Sequence, residues 1–178
     1  FSHAEIVLIG ETHNVPLDKH AASAIVSRYA REGDILLLEG IDSSTWFKAV
    51  PPSQELGAAA AKLLVSGWDD HEALVELLGH VPEFVRSEAV RNSPSLSAFQ
   101  RVKAWTNCSY HYFVHENFLD RRNESMRYKL TELSVIYPTK KIFLIAGSNH
   151  LRWQRHADLA HLLRKLKRPS SVVIPKES

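Results

Sequence analysis

Three short apolar runs constrain this chain more than any other feature. They are Ala4 to Ile9 (Ala-Glu-Ile-Val-Leu-Ile), Asp34 to Leu38 (Asp-Ile-Leu-Leu-Leu) and Lys141 to Ala146 (Lys-Ile-Phe-Leu-Ile-Ala). Each is too short for a buried helix, is rich in branched aliphatics and lacks polar–apolar alternation, which reads as a strand covered on both faces. Between the first two, Pro16 to Arg31 carries Ala21, Ala24, Ile25, Val26 and Tyr29 at helical spacing, and Gly33 supplies a stop signal. A strand–helix–strand unit of about 35 residues implies a right-handed crossover and a parallel strand pair.

The remaining elements are consistent with that frame. After Pro51 and Pro52, the Ala-rich stretch from Glu55 to Leu64 reads as helical. It leads into a short strand near Leu63 to Ser66 that ends at Gly67-Trp68-Asp69-Asp70. His71 to Thr106 reads as helical with breaks at Gly79, Pro82 and Pro94. From Tyr110 to Ile136 a long helix carries Phe113, Phe118, Leu119, Met126, Leu130, Leu133 and Ile136 on its apolar positions, and Pro138 ends it. A basic helix from Leu151 to Lys167 and a last strand from Ser171 to Ile174 complete the expectation. The class is α/β: one domain, 1–178, with a central sheet, mainly parallel or mixed, flanked by helices.

Composition excludes several function classes. Lys plus Arg number 22 and Asp plus Glu 20, a formal charge of +2, too balanced for a protein that grips nucleic acid through bulk charge. The basic run Arg164, Lys165, Lys167, Arg168 suits a helix C-terminus better than a phosphate-binding patch. No apolar run reaches the roughly 18 residues that span a bilayer. No signal peptide is visible, which makes the cytoplasm the default compartment. The sequence leaves oligomeric state open. A lone cysteine, Cys108, cannot form a disulfide within the chain. Ten histidines stand against that one cysteine, so imidazole and carboxylate would hold any metal.

Position separates those histidines. The first strand ends in Gly10-Glu11-Thr12-His13, the second in Glu39-Gly40, a weaker one in Asp69-Asp70 and the last strong one in Gly147-Ser148-Asn149-His150. In an open parallel sheet all carboxyl ends lie on one edge, and ligands bind in the crevice there. His13, His150, Glu11, Glu39, Asp69 and Asn149 are thereby expected to converge without being neighbours in sequence. Two neutral imidazoles and a carboxylate can hold a divalent ion at about 2.0–2.2 Å, and such an ion supplies a water ionised near neutral pH. A histidine oriented by a glutamate can also act directly as general base for water. Both chemistries are hydrolytic, and both remain open at this point.

Other polar residues have weaker context. Thr12, Asn14 and Asp18 are candidate caps for the helix near Pro16. On the long helix, the stripe shared with Met126 and Leu130 turns part of Arg122-Asn123 inward, where Arg122 would pair with a strand-end carboxylate or bind a substrate anion. His20, His71, His80, His111, His156 and His161 read as surface or helix-face residues. Trp68 and Trp153 flank the proposed edge and can wall a cleft.

In this order, Gly10-Glu11-Thr12-His13, Leu38-Glu39-Gly40, Arg122-Asn123 and Gly147-Ser148-Asn149-His150 resemble the motifs of the Tiki/TraB, ChaN-like haem-uptake and erythromycin-esterase-like superfamily. Gly67-Trp68-Asp69-Asp70 looks like the Gly-aromatic-Asp step that some members carry after the third strand. The likeness covers nearly the whole chain in outline, except residues 71–106. It implies an α/β fold of the erythromycin-esterase/ChaN kind with a polar pocket at the sheet edge. The Tiki branch implies a peptidase using a divalent metal (Mn, Co or Zn) on His13, Glu39 and His150. The esterase branch implies water activation by His13 with Glu11 or Glu39. The ChaN branch implies haem binding without catalysis, through contacts that match no position here. The resulting expectation is hydrolysis of an ester or peptide bond in a small-molecule or peptide substrate. Glu11, His13, Glu39 and His150 would be catalytic, and Arg122, Asn149 and Asp69 would bind substrate.

Overall fold

The computed structural model describes residues 2–12, 15–45, 56, 60–152 and 157–174, with the backbone alone for 149, 152 and 157–160. The chain forms two compact units, one from Phe1–Asp69 with Ser125–Ser178 and the other from Asp70–Glu124.

The first unit is α/β. Its strands are β1 (Ile6–Glu11), β2 (Ile35–Asp42), β3 (Leu64–Asp69), β4 (Ile142–Gly147) and β5 (Ser170–Val173). They form a sheet ordered β3-β2-β4-β1-β5, and every pair in it is parallel. The unalternated runs mark the centre of this sheet: Ile6, Val7, Leu8, Ile35, Leu36, Leu37, Ile142, Phe143 and Leu144 are wholly buried. Helix α1 (Pro16–Tyr29) covers one face, placing Ala22 and Val26 against Val7, Ile9, Leu36, Phe143 and Ile145. On the opposite face Met126, Leu130 and Leu133 pack on Ile6, Leu8, Ile35, Leu37, Ile142 and Leu144. Burial of each such side chain contributes about 1.5–3 kcal/mol.

At the amino edge of the sheet the carboxylate of Asp34, 6% exposed, accepts the N–H groups of Arg31 and Lys141, while its carbonyl accepts from Leu64. One residue thus ties the starts of β2, β3 and β4 together. Helix α1 begins at Val15 without a side-chain cap; instead Asp18 accepts the N–H of Thr12 at 2.8 Å, tightening the turn after β1. Of the expected caps, Asn14 lies outside the described residues. Gly33 is not the helix cap, which is Ala30, but sits at φ +76° in the turn before β2.

The second unit is a helical hairpin of α2 (His71–Arg91) and the first 27 residues of α3 (Ala98–Ile136). Asp70 caps α2 through the N–H of Ala73. The breaks expected at Gly79 and Pro82 do not occur; the helix runs through both and stops before Pro94. Its amino half is held by Arg121, which reaches Asp70 (3.3 Å), Glu72 (3.5 Å) and Glu76 (3.0 Å). Ala73, Leu77 and Ser87 face inward along the same helix. Helix α3 starts a dozen residues before the expected Tyr110, and Phe113 is exposed because it lies about 140° around the helix from Met126. Ile136, expected to be apolar-packed, is half exposed at the helix end. After β4 come a five-residue helix α4 (Ser148–Arg152) and α5 (Ala157–Lys165); most of the Ala-rich stretch after Pro52, and Trp153 and His156, lie outside the described residues. Among the described residues no helix is long and apolar enough to cross a membrane.

Candidate functional site

Strand order decides where side chains can meet. Strand β4 lies between β2 and β1. The chain leaving β1 enters α1 on one face, whereas the chain leaving β4 continues toward Leu151 and Leu163 on the other. Neighbouring strands whose connections depart to opposite faces leave a crevice at their carboxyl ends. Gly10 permits this junction to be tight, because a Cβ there would stand 3.3 Å from Ser148 Oγ and 3.4 Å from Val173 O.

Glu39 reaches that crevice from a bulge. Pairing between β2 and β3 runs in register from Ile35 to Leu38, then shifts so that Asp42 pairs with Asp69. Between these points β2 spends two residues more than β3. Gly40 adopts φ +75° inside the bulge, and its N–H donates to Asp69 Oδ2 at 3.0 Å. Bulges occur at strand ends near functional sites, and Glu39 opens this one beside the end of β4. The Gly147 N–H donates to Glu39 Oε2 at 2.5 Å, and Glu39 Oε1 lies 3.3 Å from His150 Nε2. Both side chains are secluded, 14% and 3% exposed, so the carboxylate and imidazole interact in a poorly screened environment.

Trp68 closes one side. It is fully buried, stands edge-on to His150 with ring centroids 5.2 Å apart, and donates its indole N–H to the Ile145 carbonyl at 3.1 Å. Ser125 Oγ holds the Trp68 carbonyl at 2.8 Å. The buried ammonium of Lys129 donates to the Ser43 carbonyl at 2.8 Å and faces Glu132 at 3.3 Å, pinning the chain that leaves β2. Ser148, 7% exposed, has a buried hydroxyl without a hydrogen-bond partner among the described residues.

The sequence-derived site residues are therefore placed as follows. Glu39 and His150 meet. Glu11 ends β1 in register with Gly147, one strand over. Asp69 is fully buried and holds the β2 bulge through Gly40. His13 lies outside the described residues, as does the side chain of Asn149, whose backbone is in α4. Arg122 is buried, 4% exposed, but belongs to the helical unit. Ser148 and Lys129 were not read from the sequence. A buried lysine near a strand end has no local signal, and Ser148 is one more small residue in a glycine turn.

The helical unit holds a second group of donors. His80 and Glu83 from α2 and His111 from α3 each place a ligand-type atom within 4.8 Å of the others. His80 Nε2 and His111 Nδ1 are 3.0 Å apart. His115, one turn beyond His111, stacks on Phe84 and has its pKa lowered by burial first, then by the neighbouring His80 and the Arg122 charge. These histidines do lie on helix faces, as their spacing suggests, but the two faces meet. His80-x-x-Glu83 and His111-x-x-x-His115 each put donors on one face of their own helix, but no local signal joins the two faces.

Comparison of the chain with protein-family models, curated proteins and solved structures finds no match.

Proposed function

We propose that the chain is a hydrolase of ester or peptide bonds in a small-molecule or peptide substrate, acting at the carboxyl edge of its sheet. The observation that carries this reading is the Glu39–His150 pair, 3.3 Å apart and anchored by the Gly147 N–H. That separation is long for an N–H···O hydrogen bond. It matches the edge of a tetrahedral ligand set, about 3.3–3.6 Å for donors 2.0–2.2 Å from an ion. The donors suit Mn, Co or Zn, with His13 as the third ligand by its Gly-x-x-His context. Such an ion, when bound, lowers the pKa of water and polarises a carbonyl.

The chain's own groups supply the rest. Gly147 fixes Glu39 so that one carboxylate oxygen stays directed at His150. Trp68 keeps water from one side of the imidazole. Glu11, beside Gly147 in the sheet, is the base that takes a proton from water as its oxygen adds to the carbonyl carbon. It then returns that proton to the departing alcohol or amine. Asp69 preserves the bulge, and Asn149 orients substrate. The resemblance to the Tiki/TraB and erythromycin-esterase-like motifs supports the same reading.

The test pairs metal analysis with activity. Chelator-treated protein should regain ester or peptide hydrolysis with Mn²⁺, Co²⁺ or Zn²⁺, and His13→Ala, Glu39→Gln and His150→Ala should each lose activity together with the ion at the sheet edge. Activity untouched by all three substitutions would remove the site. A Soret shift on adding haem, without hydrolysis, would favour the haem-binding reading instead.

A further inference from the structure

The hairpin of the second unit has an unusual interior. Along α2 its inward residues are Ala73, Leu77 and Ser87, and along α3 they are Ala104, Cys108, His111 and Arg122. Only Leu77 is a large aliphatic. Meanwhile Val75, Leu78, Val85, Phe99, Val102, Trp105, Tyr110, Tyr112 and Phe113 are all more than half exposed. A hairpin whose seam is this small and polar gains little from apolar burial and needs another staple.

Its sequence works against α2 at one place in particular. Gly79 and Pro82 flank His80, and Pro82 leaves the Leu78 carbonyl without its helical donor. The helix nevertheless continues, and it is there that His80 and Glu83 face His111. We propose that the α2–α3 hairpin binds one first-row divalent cation through His80, Glu83 and His111, and that the ion staples the two helices.

The geometry favours a small ion on one side of the histidine pair. Nitrogens 3.0 Å apart lie close to the tetrahedral edge of about 3.3 Å for Zn–N bonds of 2.0–2.1 Å. Nitrogens on opposite sides of an ion, as in a bis-histidine haem, would need about 4 Å. Without an ion the rings share one hydrogen, as N–H···N. On binding, that hydrogen moves to the outer nitrogen of its own ring, and both inner nitrogens become donors. Glu83, exposed and on a flexible stem, can swing in from within 4.8 Å. His115 Nδ1, buried and without a hydrogen-bond partner, lies one turn along the same helix.

The experiment is a Co²⁺ titration of the chelator-stripped chain, read by visible d–d absorption and repeated with Zn²⁺ by calorimetry. One ion per chain should survive in His150→Ala, which removes the sheet-edge pair. Glu83→Gln, at an exposed position where folding is not at risk, and His80→Gln should each weaken that ion by about tenfold or more. In the His150→Ala background the melting temperature should rise with Zn²⁺, and that rise should shrink or vanish when Glu83→Gln or His80→Gln is added. Uptake that is lost in His150→Ala but unchanged in Glu83→Gln and His80→Gln would assign the ion to the sheet edge and overturn the proposal. So would a parent chain that binds neither ion.

Discussion

Replacing Gly67 with alanine isolates the architecture that carries Glu39. A Cβ at position 67 would sit 2.1 Å from the Ile41 carbonyl oxygen, 2.4 Å from its carbon and 2.5 Å from the Asp42 oxygen. These are backbone atoms inside a sheet, so no side chain can rotate away. The Ile41–Asp42 peptide would have to retreat by about 1 Å in a close-packed interior. Overpacking of this kind costs about 1–3 kcal/mol. Retreat also breaks the restored Asp42–Asp69 pairing and the Ser43 N–H bond to the Asp69 carbonyl, 2.9 Å, at about 1 kcal/mol for each hydrogen bond. The sum is about 3–5 kcal/mol, a fall in melting temperature on the order of 10 °C for a chain of this length.

Gly79→Ala is the matched control. A Cβ there meets nothing within 4 Å, the position is helical, and the added methyl should raise stability by about 1 kcal/mol through helix propensity. The same chemical change is thus expected to act with opposite sign at the two sites. Thermal melts followed by far-ultraviolet circular dichroism measure both. A Gly67→Ala protein melting within about 2 °C of the parent would refute the close-approach argument, and with it the claim that glycine at 67 makes room for the β2 bulge.

Leu130→Ala should cost about 2–5 kcal/mol in urea unfolding, because the side chain is wholly buried between α3 and the sheet; a loss under 1 kcal/mol would mean that the helix does not pack there. Asp34→Ala should cost about 2–3 kcal/mol by stranding the N–H groups of Arg31 and Lys141, and amide exchange at Lys141 should rise with it. His115 has a folded-state pKa below the ordinary value near 6.5, so the unfolded chain takes up its proton first. Its contribution is therefore complete above that value and lost as pH falls from there toward the folded pKa. In chelator-treated protein, His115→Phe should lose less stability than the parent between pH 7.5 and 5.5; superimposable curves would contradict this.

The parts of the fold legible in the sequence are those governed by one local rule. The unalternated runs at Ile6, Ile35 and Ile142 announced central strands because both of their faces are covered, and their shared direction put the strand-end residues on one edge. That rule alone places Glu39 and His150 on the same edge, where they meet. What it missed depended on two segments at once. Gly79 and Pro82 are local breakers, yet α2 runs through both, its first turns clamped by Arg121 from forty residues on. Phe113 fits an apolar spacing, but the buried stripe of α3 runs through Ala104, Cys108, His111, Met126 and Leu133, on the far side of the helix from it. His80 and His111 were weighed singly, and only the pairing of two helices makes them a group.

The bulge was equally invisible, and Glu39 is its first residue. Residues 35 to 38 pack alternately onto the two covered faces, so an unbulged β2 would direct residue 39 onto a face as well. The two extra residues fall just beyond Leu38, where β2 passes the end of β4, and the Glu39 carboxylate there accepts the Gly147 N–H. Three residues bear the cost: Gly40 in a left-handed conformation, Gly67 without a side chain, and Asp69 buried to hold the Gly40 N–H. Two of them stand on β3, which contributes no atom to the Glu39–His150 contact itself. The Gly-Trp-Asp step at the end of β3 thus shapes the site from beneath: glycine admits the bulge, aspartate closes it, and tryptophan packs edge-on against the imidazole that Glu39 faces.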